Sequence, residues 1–248
     1  MNPPFWGAVI AFIAVVVAVH LMYAGIIRPN ADDALKALGA GATQNAWVIF
    51  KDVEQQICIT LFLYSIIIIL WKLAIIVFRE EPLFTQNFAV SNPGNLEGVL
   101  NELNELERNG YKNNSAVLTW ISAIKRFKST GNVAHASEAI TASIEALAVK
   151  LESGNATLRY IVWAIPSIGF VGTVRGIGSA LSQAEAAVSG DISGMVDSLG
   201  VAFNSTLVSL LISLVLMALL HLLNRRQDLM VIHTQKSCED HLMPLLHK

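Results

Sequence analysis

The chain has 248 residues, is 54% hydrophobic and only 15% charged, and has a mean hydropathy of +0.53, whereas a soluble domain is about a quarter charged. That composition excludes a disordered chain and argues against a water-soluble enzyme. A net charge of −2 and a pI of about 6.3 offer no basic field for a nucleic-acid partner.

Four apolar runs can cross a bilayer, since about 20 helical residues at 1.5 Å each span about 30 Å of hydrocarbon. They are residues 5–27, 57–78, 161–181 and 200–223. Helix is the state to expect, because an open strand leaves backbone groups unsatisfied in lipid. The first run could be a signal peptide, but it opens on Met-Asn-Pro-Pro without a positive charge and ends in Ile26, Ile27 and Arg28 without a small-residue cleavage pattern. It reads as a retained span.

Charge sets the orientation. Segment 79–160 carries eight Lys or Arg and the tail 224–248 carries four, with Arg225 and Arg226 directly after the last run. Segment 28–56 carries three, and 182–198 has none, but holds Glu185, Asp191 and Asp197. The positive-inside rule places 79–160 and both termini in the cytoplasm, and 28–56 and 182–199 on the periplasmic side. The expected fold is an all-α integral membrane protein: four transmembrane helices plus a cytoplasmic helical extension. All nineteen Asp and Glu lie outside the four runs, so the chain is expected to bring no carboxylate into the membrane. The ionisable groups it does bring are His20, Lys72, Arg175 and His221.

Segment 79–160 reads as helices. From Asn95, Leu96, Val99, Leu100, Leu103 and Leu106 recur at helical spacing, with Glu97, Asn101, Glu102 and Glu105 between them. Asn109-Gly110 ends that helix. A second runs from about Ser115 to Lys128. A third begins near Val133 and passes Ile140, Ile144, Leu147 and Leu151. It is either interrupted at Ser153-Gly154-Asn155 or continuous with the third span. The segment is expected to extend and brace the membrane helices.

In the third run, Gly169, Gly172, Thr173, Gly176 and Ala180 share one helical face. Gly172 and Gly176 form a GxxxG, which lets another backbone approach closely; by itself this pattern also fits plain helix packing. Pro166 removes a helical hydrogen bond. In the fourth run Ala202, Thr206, Ser209 and Ser213, at spacings of 4, 3 and 4, draw a polar stripe. Its hydroxyls can bond back to their own helix, or, beside a small-residue face, line a narrow polar path for a side chain of another chain.

The string from Pro166 to Gly178, with Gly172-Thr173-Val174-x-Gly176-Ile177, resembles the Gly-Thr-Val-x-Gly motif of the MotA/TolQ/ExbB proton-channel family. Ala202 and Thr206 in an apolar helix resemble that family's last span, and the likeness covers about residues 95–230. The motif is more like ExbB and TolQ. Four spans, with a cytoplasmic segment after the second, are more like the flagellar stator layout. The resemblance implies a homo-pentamer around two copies of a single-span ExbD/TolR/MotB-like partner with an Asp in its span. Ions would pass through that Asp, and the pentamer would rotate about the partner in a bacterial inner membrane. Thr173 and Thr206 match the two threonines that face the partner Asp; with Ser209 and Ser213 they are the candidate ion pathway. Pro166, Gly169, Gly172 and Gly176 are the candidate pore-packing residues. No cofactor is implied beyond the transported H+ or Na+. One charge crossing 100 mV releases about 2.3 kcal/mol, enough to bias a rotation of small steps.

Arg175 occupies the x position of the motif, about 200° from Thr173 around the helix. It is either structural, snorkelling or pairing with an acid such as Asp52 or Glu54, or it is a gate. Lys72 is expected to snorkel to the inner surface, His20 to be polar packing and His221 an interfacial residue. His233, Cys238, His241 and His247 match no defined zinc spacing. No P-loop, hydrolase elbow, HExxH or Rossmann glycine pattern is present. Two other functions fit the pattern less fully: a membrane scaffold without ion flux, and a secondary transporter, which usually shows inverted repeats.

Overall fold

A computed structural model describes residues 3–38, 42, 45–81, 96–108, 111 and 113–246. The Asn109-Gly110 helix stop and His247 lie outside the described residues. Those residues form helices and connecting turns, with no strand among them. The elements are α1 (Phe5–Met22), α2 (Arg28–Leu38), α3 (Ala46–Ile49), α4 (Val53–Ile75), α5 (Leu96–Arg108), α6 (Ser115–Thr130), α7 (Val133–Gly154), α8 (Ala156–Ser182), α9 (Ala184–Val188), α10 (Ser193–Ser237) and α11 (Met243–Leu246). π-helical turns follow α1, α4 and α10.

The protein is an all-α membrane protein. Four helical stretches are long and apolar enough to cross a membrane: Phe5–Ala37, Val53–Glu80, Val133–Ser182 and Ser193–Leu246. Each is longer than the apolar run within it, because a helix continues wherever capping and packing support it, not only where lipid does. Their large apolar side chains point mostly outward. Phe170, Val171, Val174, Leu207, Leu211 and Leu214 are all exposed, as expected of helices whose greasy sides meet lipid or other chains.

The chain divides into two compact units. One comprises residues 3–69 and 157–220. In it Val15, Val19, Tyr23 and Ile27 recur every four residues and pack with Ile59 and Tyr64 of α4. The Phe12 and Tyr64 rings meet edge to face at 5.1 Å. Polar groups pin the same pair: Arg28 donates to Gln56 Oε1 at 3.1 Å, and Gln56 Nε2 lies 3.3 Å from His20 Nδ1.

The other unit comprises residues 70–156 and 221–248. Its core joins Val99 and Leu103 of α5, Val117, Trp120, Ile121 and Ile124 of α6, and Ile140 of α7 with Cys238, Leu242 and Leu246. Cys238 is fully buried, and burial pushes its thiol up to about 12. Asn114 caps α6 by accepting from Ala116 and Val117 N–H. Gly131, at φ 63°, ends α6 in the left-handed conformation that glycine adopts without a Cβ penalty. Asn132 then caps α7. Asn155 is the one non-helical residue between α7 and α8, so of the two alternatives the helical stretch is interrupted, for a single residue.

Candidate functional site: the glycine and hydroxyl faces of α8 and α10

The buried residues of α8 are Leu158, Ile161, Ile165, Gly169, Gly172, Gly176 and Ala180, a stripe at spacings of three and four. The last four are small, and α10 lies antiparallel against them. A Cβ on Gly169 would stand 2.6 Å from Ser209 Cβ, and one on Gly172 would stand 2.6 Å from Ser205 Cβ. On Gly176 it would meet the Ala202 backbone N and the Ser198 carbonyl O, each at 2.8 Å. Real Cβ contacts are not this short, and backbone cannot step aside as a flexible side chain can. Gly178, off the stripe, has nothing within 4 Å of its Cβ position.

On α10 the fully buried positions of this face are Ala202, Ser205, Ser209 and Ser213. Three of these are positions of the polar stripe read from the sequence, and the buried hydroxyl between Ala202 and Ser209 is Ser205, with Thr206 beside it. Ser205 was missed there, although it lies three residues after Ala202 and four before Ser209. Ser209 and Ser213 are 0% and 4% exposed, and their hydroxyls are engaged within this chain. Ser209 Oγ donates to Thr206 O at 3.0 Å. Ser213 Oγ donates to Val162 O at 3.2 Å. That carbonyl lies four residues before Pro166, so it is the one an N–H at position 166 would have served. Serine on one helix thus supplies the hydrogen bond that proline on the other cannot.

Thr173 and Thr206 sit at the edge of the glycine face and are partly exposed. Their Oγ1 atoms are in direct contact, and both reach the Ala202 carbonyl, at 3.1 Å from Thr173 and 3.3 Å from Thr206. Each hydroxyl has one proton and two lone pairs. Thr173 also reaches the Gly169 carbonyl at 3.3 Å, so two protons are shared among four oxygens and the pair retains acceptor capacity for a further donor.

Arg175 points elsewhere. Its Nη2 lies 2.8 Å from Glu54 Oε2 and 3.9 Å from Asp52 Oδ1. The guanidinium side chain is half-exposed, while both acids are largely buried. Burial raises the Asp52 carboxyl above its ordinary range, against the opposing pull of Lys51 and Arg175. Gln55 donates to Ser205 Oγ at 3.4 Å. A polar cavity of about 200 Å³ lies between Asp52, Arg175, Gly176, Ser179, Ser198 and Val201, with room for several waters.

These contacts bring an acid against the glycine face, from the turn that precedes the apolar run 57–78. The second helical stretch begins at Val53, and Glu54 Cγ comes within 3.1 Å of the Gly172 Cβ position. An apolar window opening at Ile57 does not register an acid on the preceding turn that is neutralised by a distant arginine. In the other unit, Lys72 departs from its expected role. It is 2% exposed and donates to Gly154 O and Asn155 Oδ1 at 2.6 and 2.7 Å, so it does not snorkel.

The family model described as the MotA/TolQ/ExbB proton channel family matches residues 101–236, more than half of the chain. The chain belongs to that family. The matched part of this proton channel family member runs from within α5 to Lys236 of α10. It includes the glycine face, both threonines and Arg175; α1 to α4, with Asp52, Glu54 and Gln55, lie before it. Comparison with curated proteins and with solved structures gives no match.

Two outcomes follow for stability in detergent. Gly176→Ala, whose Cβ would strike backbone, lowers the unfolding midpoint by the equivalent of about 1–3 kcal/mol, and Gly178→Ala leaves it unchanged; equal effects would contradict the packing described. Ser213→Ala costs about 1 kcal/mol with Pro166 present and clearly less in a Pro166→Ala background, where Val162 O regains a backbone donor. An identical cost in both backgrounds would contradict the substitution of serine for the missing bond.

Proposed function

We propose that this multi-pass protein is the channel and stator subunit of an ion-driven motor in the bacterial inner membrane, with both termini in the cytoplasm. Five copies surround two copies of a single-span partner. The partner supplies an Asp in its span, and its extramembrane part acts on the cell envelope. The reading rests on family membership and, within the structure, on one observation: the paired Thr173 and Thr206 hydroxyls, partly exposed at the edge of a close-packed small-residue face.

A carboxylate arriving at that edge meets two hydroxyls that share the Ala202 carbonyl, with the Gly169 carbonyl as a second acceptor for Thr173. In its ionised form it accepts from a threonine O–H; in its protonated form it donates to a threonine lone pair. Both protonation states are therefore solvated without water, which is what passage of an ion through a partner Asp requires. Ser209 and Ser213, being engaged between α8 and α10, are assigned to packing together with Pro166, Gly169, Gly172 and Gly176. Arg175 is assigned a structural role, holding Glu54 and Asp52, and the polar cavity beside it is the route by which the ion reaches the threonines. The pathway suits H+ or Na+ alike. A scaffold without ion flux would keep the glycine face but would need no hydroxyl at positions 173 and 206.

The test uses proteoliposomes containing the chain and its partner. Thr173→Val and Thr206→Val each reduce ion uptake by about tenfold or more, the loss of one hydrogen bond to a charged group, while the size of the complex stays the same. Thr173→Ser retains most of the uptake. Normal uptake in both valine variants would overturn the pore assignment and favour the scaffold.

A further inference from the structure

Lys72 carries a positive charge into the interior of its unit, and among the described residues no carboxylate pairs with it. All nineteen acidic residues are among the described ones, and the ion pairs they form involve other cations. Lys72 Nζ instead donates to two neutral oxygens, Gly154 O and Asn155 Oδ1. The first is at the C-terminus of α7, where the helix dipole offsets part of the charge, about half an elementary charge at most. One of the three ammonium N–H groups remains.

The lysine dictates the orientation of everything behind it. An ammonium can only donate, so Asn155 must turn its Oδ1 toward Lys72 and its Nδ2 away. Nδ2 then donates to Gln227 Oε1 at 2.6 Å and to Asn224 Oδ1 at 2.9 Å. Gln227 is thereby fixed with its oxygen engaged and its Nε2 free. That nitrogen is buried without a partner on a side chain only 3% exposed. An unanswered buried donor costs about 1–3 kcal/mol.

Gln227, Lys72, Lys150, Ser115 and Asn113, with two leucines, line one cavity of about 330 Å³. Its polar lining combines the buried Lys72, with one ammonium N–H left over, the exposed Lys150 and the buried Gln227 with its unpartnered Nε2. Glu80 lies behind Ser115, which gives it both its backbone N–H, at 2.9 Å, and its hydroxyl, and the carboxylate is not part of the cavity lining. Two cations and a desolvated N–H, without a facing carboxylate, form a site for an anion that presents several acceptor oxygens. Lys72 lies near the end of the apolar run 57–78 and Gln227 just beyond the run 200–223, where apolar surface gives way to polar.

We infer that this cavity binds a phosphate group, held by Lys72, Lys150 and Gln227. It is delivered either as the headgroup of an anionic phospholipid or as free phosphate.

The full chain, purified in detergent, is tested in two ways. Native mass spectrometry compares retention of phosphatidylglycerol with that of phosphatidylcholine, and thermal unfolding compares inorganic phosphate with chloride at equal ionic strength. Lys150→Gln and Gln227→Leu accompany Lys72→Met, and decide the matter if the last does not fold. Preferential retention of phosphatidylglycerol, reduced about tenfold in the variants by loss of a charge-assisted bond, identifies a lipid headgroup. Stabilisation by phosphate that the variants lose, without lipid preference, identifies free phosphate. Absence of both effects, or either effect unchanged in Lys150→Gln and Gln227→Leu, overturns the site and leaves Lys72 as a helix cap only.

Discussion

The backbone of α8 lies against α10 at a distance that only glycine permits, and the other features of the site follow from that approach. Apolar side chains gain little by association in lipid, since the tails around them are equally apolar. Helices there are held by close van der Waals contact and by hydrogen bonds that water cannot take over. Gly169, Gly172 and Gly176 provide the first. Ser205, Ser209 and Ser213, buried opposite them, provide hydroxyls small enough not to push the helices apart. The same approach brings the Thr173 and Thr206 hydroxyls together. Their pairing is thus a consequence of glycine packing one helical turn away on either side.

Several polar groups in this packed interior are matched by a partner from another helix. Pro166 leaves the Val162 carbonyl bare, and Ser213 covers it. Glu54 and Asp52 are buried, and Arg175 answers both while keeping half of its own side chain exposed. In the second unit Asn155 interrupts a long helical stretch, and the amide joins Lys72 to Asn224 and Gln227. A break in a helix costs hydrogen bonds, and here the freed Gly154 carbonyl is taken up by a buried cation. Removing one member of such a set leaves the others desolvated and unsatisfied, which is more damaging than the loss of the bond itself.

Local pattern made much of this legible. Four apolar helices follow from run length, and the glycine face and the two threonines follow from helical spacing and the family motif. The helices of 96–154 follow from leucine periodicity and from the Asn and Gly residues that cap them. What stayed hidden depends on residues far apart in the chain. Asp52 and Glu54 both read as partners for Arg175, and only the fold, across 121 residues, gives Glu54 the closer contact. Lys72 reads as a snorkelling lysine because its acceptors are 82 and 83 residues away. On α10 a spacing of 4, 3 and 4 and one of 3, 4 and 4 draw the same face, and burial falls on Ser205 with Thr206 beside it at the edge. Periodicity shows which residues share a face; it does not show which face of another helix they meet.

The central claim is that this chain forms a channel only around a carboxylate-bearing partner. The most direct test is the native mass of the detergent-purified chain, alone and co-expressed with a single-span protein, encoded beside it, that carries one Asp in its span. Five copies of the chain alone, and five with two of the partner when co-expressed, are the predicted masses. A monomer, dimer or tetramer whose mass ignores the partner would contradict the account and leave the glycine face as packing alone.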